Sequence, residues 1–201
     1  MLNLQSPIPL YHQLADILME GIRSGDYPSD SRIPSEPQLV FSLAGTSSAF
    51  HKKGIAVDVQ LLQKTKRVKV GDDAENPFAG GTAFLLSRLN RVDGSPVLLE
   101  EIYLHPVLFK GIELMDLAGR SLSQVVESSF YMRPVGGRQT FRIGYLDPKE
   151  AALMDVNANT PVLVVHRFLN FKQADNAVFS VLYCKTESFV FSQQIGGLNH
   201  D

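Results

Sequence analysis

Ala83-Phe84-Leu85-Leu86-Ser87-Arg88-Leu89-Asn90-Arg91-Val92 runs into Asp93-Gly94-Ser95-Pro96 and leaves through Val97-Leu98-Leu99-Glu100-Glu101-Ile102-Tyr103-Leu104. Two β-rich runs around an Asp-Gly pair are a hairpin signal. Side chains alternate faces along a strand. Arg88 and Asn90 therefore share a face with Phe84 and Leu86, and Glu100 shares one with Leu98 and Ile102. Register decides whether the charges meet. A two-residue turn at Asp93-Gly94 pairs Arg88 with Leu99 and turns Glu100 to the other face. A three-residue turn from Asp93 to Ser95, with a bulge, sets Arg88 opposite Glu100 and Asn90 opposite Leu98. Pro96 has no N–H to give a ladder, which favours the wider turn. One sheet face then holds a cation, an amide and a carboxylate among leucines. Two readings fit that pattern: a surface ion pair on a half-exposed sheet, or the polar floor of a small-molecule pocket.

The 201 residues suit one good domain and a small one. A formal net charge of −2 gives no global basic field for nucleic acid, although a local patch remains open. The single cysteine, Cys184, forms no internal disulfide and fits a reducing compartment. No apolar run approaches the roughly 20 residues that span a bilayer, and the N-terminus does not read as a signal peptide. A cytoplasmic protein without a membrane partner is expected.

Before the hairpin, residues 9–24 read as an amphipathic helix. Leu10, Leu14, Ile17, Leu18 and Ile22 recur at three- and four-residue spacing, and Gly25 follows as a stop. Ser35 has the character of an N-cap for a second helix, with Pro37 and Gln38 in its first turn. The run from Gly54 alternates into a strand that extends towards Val70, and residues 71–81 form an acidic, glycine-rich loop. After the hairpin, Ser121 with Gln124 three residues on is a capping box that starts a helix. Strand character returns at Thr140 to Tyr145. Asp147, Pro148 and Glu150 open another helix as N-cap, N1 and N3. Pro161 to Phe171 reads as a strand, Asp175-Asn176 as a turn, Val178 to Lys185 as its hairpin partner, and Ser188 to Gln193 as a last strand. Val162, Val164, His166 and Phe168 share one face of that strand; Leu163, Val165, Arg167 and Leu169 share the other. Both faces are largely apolar, so the sheet needs a further layer from a helix or a second subunit. Strands outnumber helices and most connect as hairpins. The body is therefore α+β, an antiparallel sheet with packed helices.

Catalytic chemistry finds little support. His12, His51, His105, His166 and His200 show no metal-like spacing with one another or with Cys184, and no glycine motif cradles a phosphate. No catalytic residue, metal or cofactor is expected. An anion site is better supported. A helix N-terminus at Ser121 to Ser123 offers free N–H groups and two hydroxyls, with Arg88 as a counter-charge.

Three N-terminal pieces resemble the opening of the winged-helix DNA-binding domain of GntR-family bacterial transcription regulators. They are Pro9-Leu10-Tyr11-x-Gln13-Leu14, Ile22-Arg23-x-Gly25-x-Tyr27-Pro28 and Arg32-Ile33-Pro34-Ser35-Glu36-x-x-Leu39. Asp30 stands where the family usually has Gly. After Leu39 the resemblance stops: Val40-Phe41-Ser42-Leu43-Ala44-Gly45 follows, without the family's recognition helix and wing. Residues from about 42 to 196 resemble the UTRA effector-binding domain of the HutC subgroup. The carrying pieces are Arg88-Leu89-x-x-x-Asp93-Gly94-x-Pro96-Val97-x-x-Glu100, Tyr103-Leu104, Ser121-Leu122, Glu150-Ala151 and Pro161-Val162-Leu163-x-x-x-Arg167.

The resemblance implies a division into residues 1–40, a partial winged helix-turn-helix, and residues 41–201, a chorismate-lyase-like UTRA domain. It implies a homodimeric, DNA-binding regulator, a repressor, whose small anionic effector alters operator binding. Ser35 and Glu36 would lie on the DNA side. Arg88, Asn90, Glu100, Ser121, Ser123 and Ser180 would lie at the effector. The family often has a second Arg at the position of Asn90, a Tyr at that of Ser123, and Glu-Tyr-Ser where Val178-Phe179-Ser180 stands. These departures point away from a sugar phosphate and towards a smaller anion such as a carboxylate. Two other readings compete: an enzyme of chorismate-lyase type acting on a carboxylated molecule, and a sensor module that lacks DNA binding.

Overall fold

The computed structural model describes residues 55–186 and the backbone of two outlying strands, Gln38–Val40 and Val190–Ser192. The helix expected at residues 9–24 lies outside the described residues, whereas the helix expected after Ser35, with Gln38 in its first turn, is not found at Gln38–Val40, where the backbone pairs as a strand with Val190–Ser192. The strands in chain order are β1 (Gln38–Val40), β2 (Asp58–Leu61), β3 (Lys66–Lys69), β4 (Thr82–Val92), β5 (Ser95–Leu104), β6 (Pro134–Gly144), β7 (Val162–Phe171), β8 (Ala174–Cys184) and β9 (Val190–Ser192). The described helices are α1 (Leu122–Phe130) and α2 (Pro148–Leu153), with a 3-10 turn at Ile112–Leu114. Seven strands form one antiparallel sheet in the order β2-β4-β5-β8-β7-β6, with β3 sharing the β4 edge with β2. β1 and β9 pair in parallel as a separate two-stranded sheet. The single strand expected from Gly54 towards Val70 is thus two strands, interrupted at residues 62–65.

The central strands are buried on both faces because each face has its own cover. On one face, Val125 and Val126 of α1 pack with Phe84, Leu86, Ile102, Leu104, Phe109 and Val178. Beyond the middle of that face, Val97, Leu98, Val165, Leu182 and Cys184 form a second apolar cluster, with Ile55 and Val57 against it. On the opposite face, Ala151 of α2 and Met154 pack with Leu89, Leu99, Leu146, Val162 and Val164. Each buried Val, Leu or Phe contributes roughly 1.5–3 kcal/mol. The capping box of α2 is formed: Glu150 N–H donates to Asp147 Oδ1 at 2.7 Å, and Asp147 N–H donates to Glu150 Oε2 at 3.1 Å. β6 lies at the sheet's edge and is largely exposed. Its Gly137 sits so close to β7 that an added Cβ would clash with the Phe168 carbonyl oxygen.

Both long hairpins use a device different from the expected one. In β4–β5, Arg88 does lie opposite Glu100 and Asn90 opposite Leu98. The turn is nevertheless two residues, Asp93 and Gly94, both with positive φ (49° and 78°), and Val92 pairs with Ser95. Positive φ at both central residues matches the strand twist in a tight turn. The missing residue of offset comes from a bulge: Arg91 pairs with Pro96, Asn90 with Leu98, and Val97 is the extra residue. Pro96 leaves the ladder one N–H short at that place, so the bulge sits where pairing is already weakest. In β7–β8 the turn lies at residues 172–173, with Phe171 opposite Ala174, not at Asp175-Asn176. Asn176 (φ 48°) instead sits in a bulge, its N–H donating to Asn170 Oδ1 at 2.8 Å.

Candidate functional site

Sheet register gathers the polar residues of the α1 face into one belt between its two apolar clusters. Arg88 of β4 faces Glu100 of β5, and Arg88 Nη2 donates to Glu100 Oε2 at 2.6 Å. Their side chains keep only 4 % and 3 % of their exposure, so this is a buried ion pair. Asn90, fully buried, donates from Nδ2 to the same Glu100 oxygen at 3.1 Å and to Leu98 O at 3.4 Å. Ser180 of β8 lies on the same face, opposite Ile102 of β5 and Arg167 of β7, and is buried. Gln139 of β6 faces Arg167 from the other side.

The start of α1 reaches this belt. Gly119, at φ 63°, donates its N–H to Val59 O of β2 at 3.3 Å, which ties the preceding loop to the sheet. The next carbonyl, Arg120 O, accepts from Arg88 Nη1 at 3.4 Å. Ser121 then occupies the N-cap position and is buried. The expected capping box is not formed, because the Ser121 side chain makes no capping hydrogen bond. Its Oγ lies 2.8 Å from Ser123 Oγ instead. Two hydroxyls thus sit together at the positive end of α1, beside an arginine. Of the expected site residues, Arg88, Asn90, Glu100 and the Ser121–Ser123 helix start come together, and Ser180 shares their face. Ser35 and Glu36 lie outside the described residues.

Arg167 was given a face by the sequence but no role. It is buried on the belt, and burial pulls its guanidinium below the ordinary value while Glu100 pushes back and Arg88 opposes it. Three charges therefore share one neighbourhood. The available signal was a lone arginine in the middle of the apolar run Val162–Phe171. Cys184, at the edge of the belt, has its thiol pushed well up, by burial first and then by Glu100. It is therefore an inert, apolar thiol at neutral pH.

The α2 face carries a different polar group. Glu75, from the loop at residues 71–81, accepts from Arg142 Nη1 at 2.8 Å and from His166 Nδ1 at 3.0 Å. Arg142 Nη2 lies 2.9 Å from His166 Nε2. Burial, then Arg142, pulls the His166 value down, with Glu75 and Asp73 opposing, so the ring is neutral near pH 7. The neighbouring Glu101 carboxyl is raised by burial, then by Glu150 and Asp147. Among the described residues, no group of three or more His, Cys, Asp or Glu side chains is arranged to hold a metal ion. None of their helices is long and apolar enough to cross a membrane.

The family model described as the UTRA domain matches residues 53–190. The chain belongs to the UTRA-domain family. Among solved structures, it resembles the effector domain of PhnF from Mycobacterium smegmatis at 16 % identity and a TM-score of 0.71, over 80 % of this chain and 99 % of that one. The structure of PhnF from the same organism aligns over 92 % of this chain and 85 % of that one, at 15 % identity and a TM-score of 0.71. A GntR-family transcriptional regulator from Bacillus cereus aligns over 70 % of this chain and 99 % of that one, at 15 % identity and a TM-score of 0.60. At such identities the likeness is one of fold. No curated protein sequence matches the chain. The antiparallel sheet with few helices is the chorismate-lyase-like fold of the UTRA domain, and the structural neighbours include GntR-family regulators.

Proposed function

We propose that the chain is a DNA-binding transcription regulator of the HutC subgroup, a repressor in the cytoplasm. Its UTRA domain, residues 41–201, binds a small anionic effector on the α1 face. The observation that carries this reading is the buried Arg88–Glu100 pair at 2.6 Å, with Asn90 on the same carboxylate and the start of α1 on Arg88. Burying an ion pair in an apolar layer gains little stability over packed hydrophobic side chains, so a pair kept there is weak evidence of a purely structural role. Residues 1–40 contribute the first part of a winged helix-turn-helix, with Ser35 and Glu36 towards DNA. In this reading a dimer places two recognition helices on the half-sites of a palindromic operator, through the segment that the resemblance puts after Leu39 and that this sequence largely lacks. The effector shifts the population between arrangements that do and do not fit those half-sites. An enzymatic role is not proposed: among the described residues the belt brings together a cation, an amide, two hydroxyls and a carboxylate that is already paired with Arg88.

One observation favours a second reading. The sequence passes from Leu39 straight to Val40-Phe41-Ser42, without the recognition segment of the GntR resemblance. A chain without that segment is a sensor module acting through a partner protein. Operator selection from random duplex DNA separates the two. Specific binding that weakens steeply with salt supports the regulator, since phosphate contacts release counterions. Binding to no sequence supports the sensor module. Where operator binding is found, Arg88→Ala should leave it unchanged without effector and keep the dimer. The same variant should weaken effector binding by about 2–5 kcal/mol.

A further inference from the structure

The outer edge of β3 carries charge that the effector site does not use. Lys64, Lys66, Arg67 and Lys69 are four of the chain's 19 basic residues, set close together in a chain whose formal net charge is −2. All four are exposed, while Thr65 and Val70 are buried and Val68 is half-buried. Among the described residues, β3 pairs with β4 on one side only. Lys66 points to one face of the sheet, and Arg67 and Lys69 to the other, so the cations straddle the edge. Among the described residues, none of the four forms an ion pair with a carboxylate. Thr82 Oγ1 accepts from Arg67 Nε at 3.3 Å and from Nη2 at 3.0 Å, which fixes the exposed guanidinium without neutralising it. Lysines on an edge strand also discourage edge-to-edge pairing, but a short edge strand is already a poor template, and β3 has four residues. The opposite edge, β6, has eleven residues, yet its Arg138 lies over the Phe168 ring and its Arg142 on Glu75. The unneutralised charge thus sits on the edge that needs protection least, and it fits an anionic partner. The strip exposes no aromatic or large apolar side chain. It therefore lacks the core of a protein interface and the stacking platform that single-stranded nucleic acid needs. A duplex needs neither. It presents about one negative charge per 1.7 Å of axis and is held by lysine and arginine through counterion release.

We propose that the β3 edge is a sequence-independent contact surface for the phosphate backbone of duplex DNA. The proposed function places DNA on residues 1–40, and this surface adds a second contact from the UTRA domain itself. It supplies affinity and salt dependence but no base selection.

The test uses the full chain and a random-sequence duplex of about 30 base pairs, with binding followed by fluorescence anisotropy from about 20 to 200 mM salt. Each cation that meets a phosphate steepens the fall of log K with log salt by about 0.9. Lys66→Gln/Arg67→Gln should therefore flatten the slope by about 1.8, and the variant with all four cations replaced by Gln should flatten it by about 3.6. Lys64→Gln/Lys69→Gln spares the Arg67–Thr82 contact and should read the same loss of about 1.8 if Arg67→Gln disturbs the strand. Lys149→Gln/Lys172→Gln removes the same charge from exposed positions elsewhere and should leave the slope unchanged. Equal flattening by this pair and by the β3 pairs would show an effect of net charge alone and overturn the proposal. So would a wild type that does not bind the duplex at the lowest salt. An unchanged slope in the fourfold variant, with self-association in its place, would leave the lysines as edge protection only and also overturn it. Tighter binding to poly-glutamate or to phosphatidylserine vesicles than to the duplex would overturn the partner. Because the probe is random duplex, failure to find an operator counts against the regulator reading and not against this surface, and an unchanged slope does the reverse.

Discussion

The two faces of the sheet each carry an arginine on a glutamate, and the two pairs do different things. On the α2 face, Arg142 and Glu75 retain 53 % and 51 % of their exposure, and the contact holds the loop at residues 71–81 to the sheet. Water shares the work of solvating both charges, so the pair contributes little. On the α1 face, Arg88 and Glu100 are sealed between two apolar clusters, and a second arginine stands on the same belt. There the protein itself, and not water, must balance every charge. A pair that trims a surface and a pair that sets a binding site look alike in sequence. Burial and the count of neighbouring charges separate them.

Variants can break this comparison, and the largest effects come from the covers. Phe109, fully buried and edge-on to Phe130 and Phe171, closes the α1 face. Phe109→Ala should cost about 3–5 kcal/mol in denaturant unfolding, and Met154→Ala on the α2 face about 2–5 kcal/mol. A cost near zero on either face would show that its cover is not part of the folding unit. Smaller is the exposed pair: Arg142→Gln should cost under about 1 kcal/mol. A loss of several kcal/mol would make the α2 pair as structural as a buried one and erase the contrast.

The smallest effect is a pH slope. The folded value of His166 lies below its ordinary 6.5, so the unfolded chain takes the proton first as pH falls. Stability should decline from pH 6.5 down to the lowered folded value, and His166→Gln should flatten that part of the curve of midpoint against pH. An unchanged slope in the variant would show that the ring is not held neutral. Glu101 has the opposite sign. Its folded carboxyl is raised above 4.5, so the neutral form is favoured by folding and the charged form costs stability at pH 7. Glu101→Gln should raise the midpoint slightly at pH 7 and lose that gain near pH 4. A lower midpoint at pH 7 would show that the charge is held by a partner.

Much of the fold was readable because its signals are periodic. Alternation in β4, β5, β7 and β8 gave the strands and faces, and Asp147-Pro148-x-Glu150 gave the start of α2. The facing of Arg88 and Glu100 was readable as well, but its mechanism was not. A wide turn and a tight turn plus a bulge produce the same register, and only the backbone at Asp93, Gly94 and Val97 distinguishes them. Asp175-Asn176 misled for a related reason. An Asn that accepts positive φ serves a turn or a bulge equally well. Arg167 went unassigned because its approach to Glu100 depends on β8 lying between β5 and β7, a strand order that no local pattern encodes. The Ser121 cap failed as a local rule: its hydroxyl lies on Ser123 Oγ and makes no capping hydrogen bond.

The most direct measurement compares the denaturant unfolding of Arg88→Met and Glu100→Gln at low salt. Glu100 accepts from both Arg88 and Asn90 and acts on the buried Arg167, so losing Arg88 still leaves Glu100 with Asn90 and the Arg167 charge. The cost of Arg88→Met should then stay under about 2 kcal/mol, while Glu100→Gln strands the buried Arg88 and should cost about 3–5 kcal/mol. Equal losses, or a greater loss in Arg88→Met, would show a closed structural pair in which Glu100 depends on Arg88 alone.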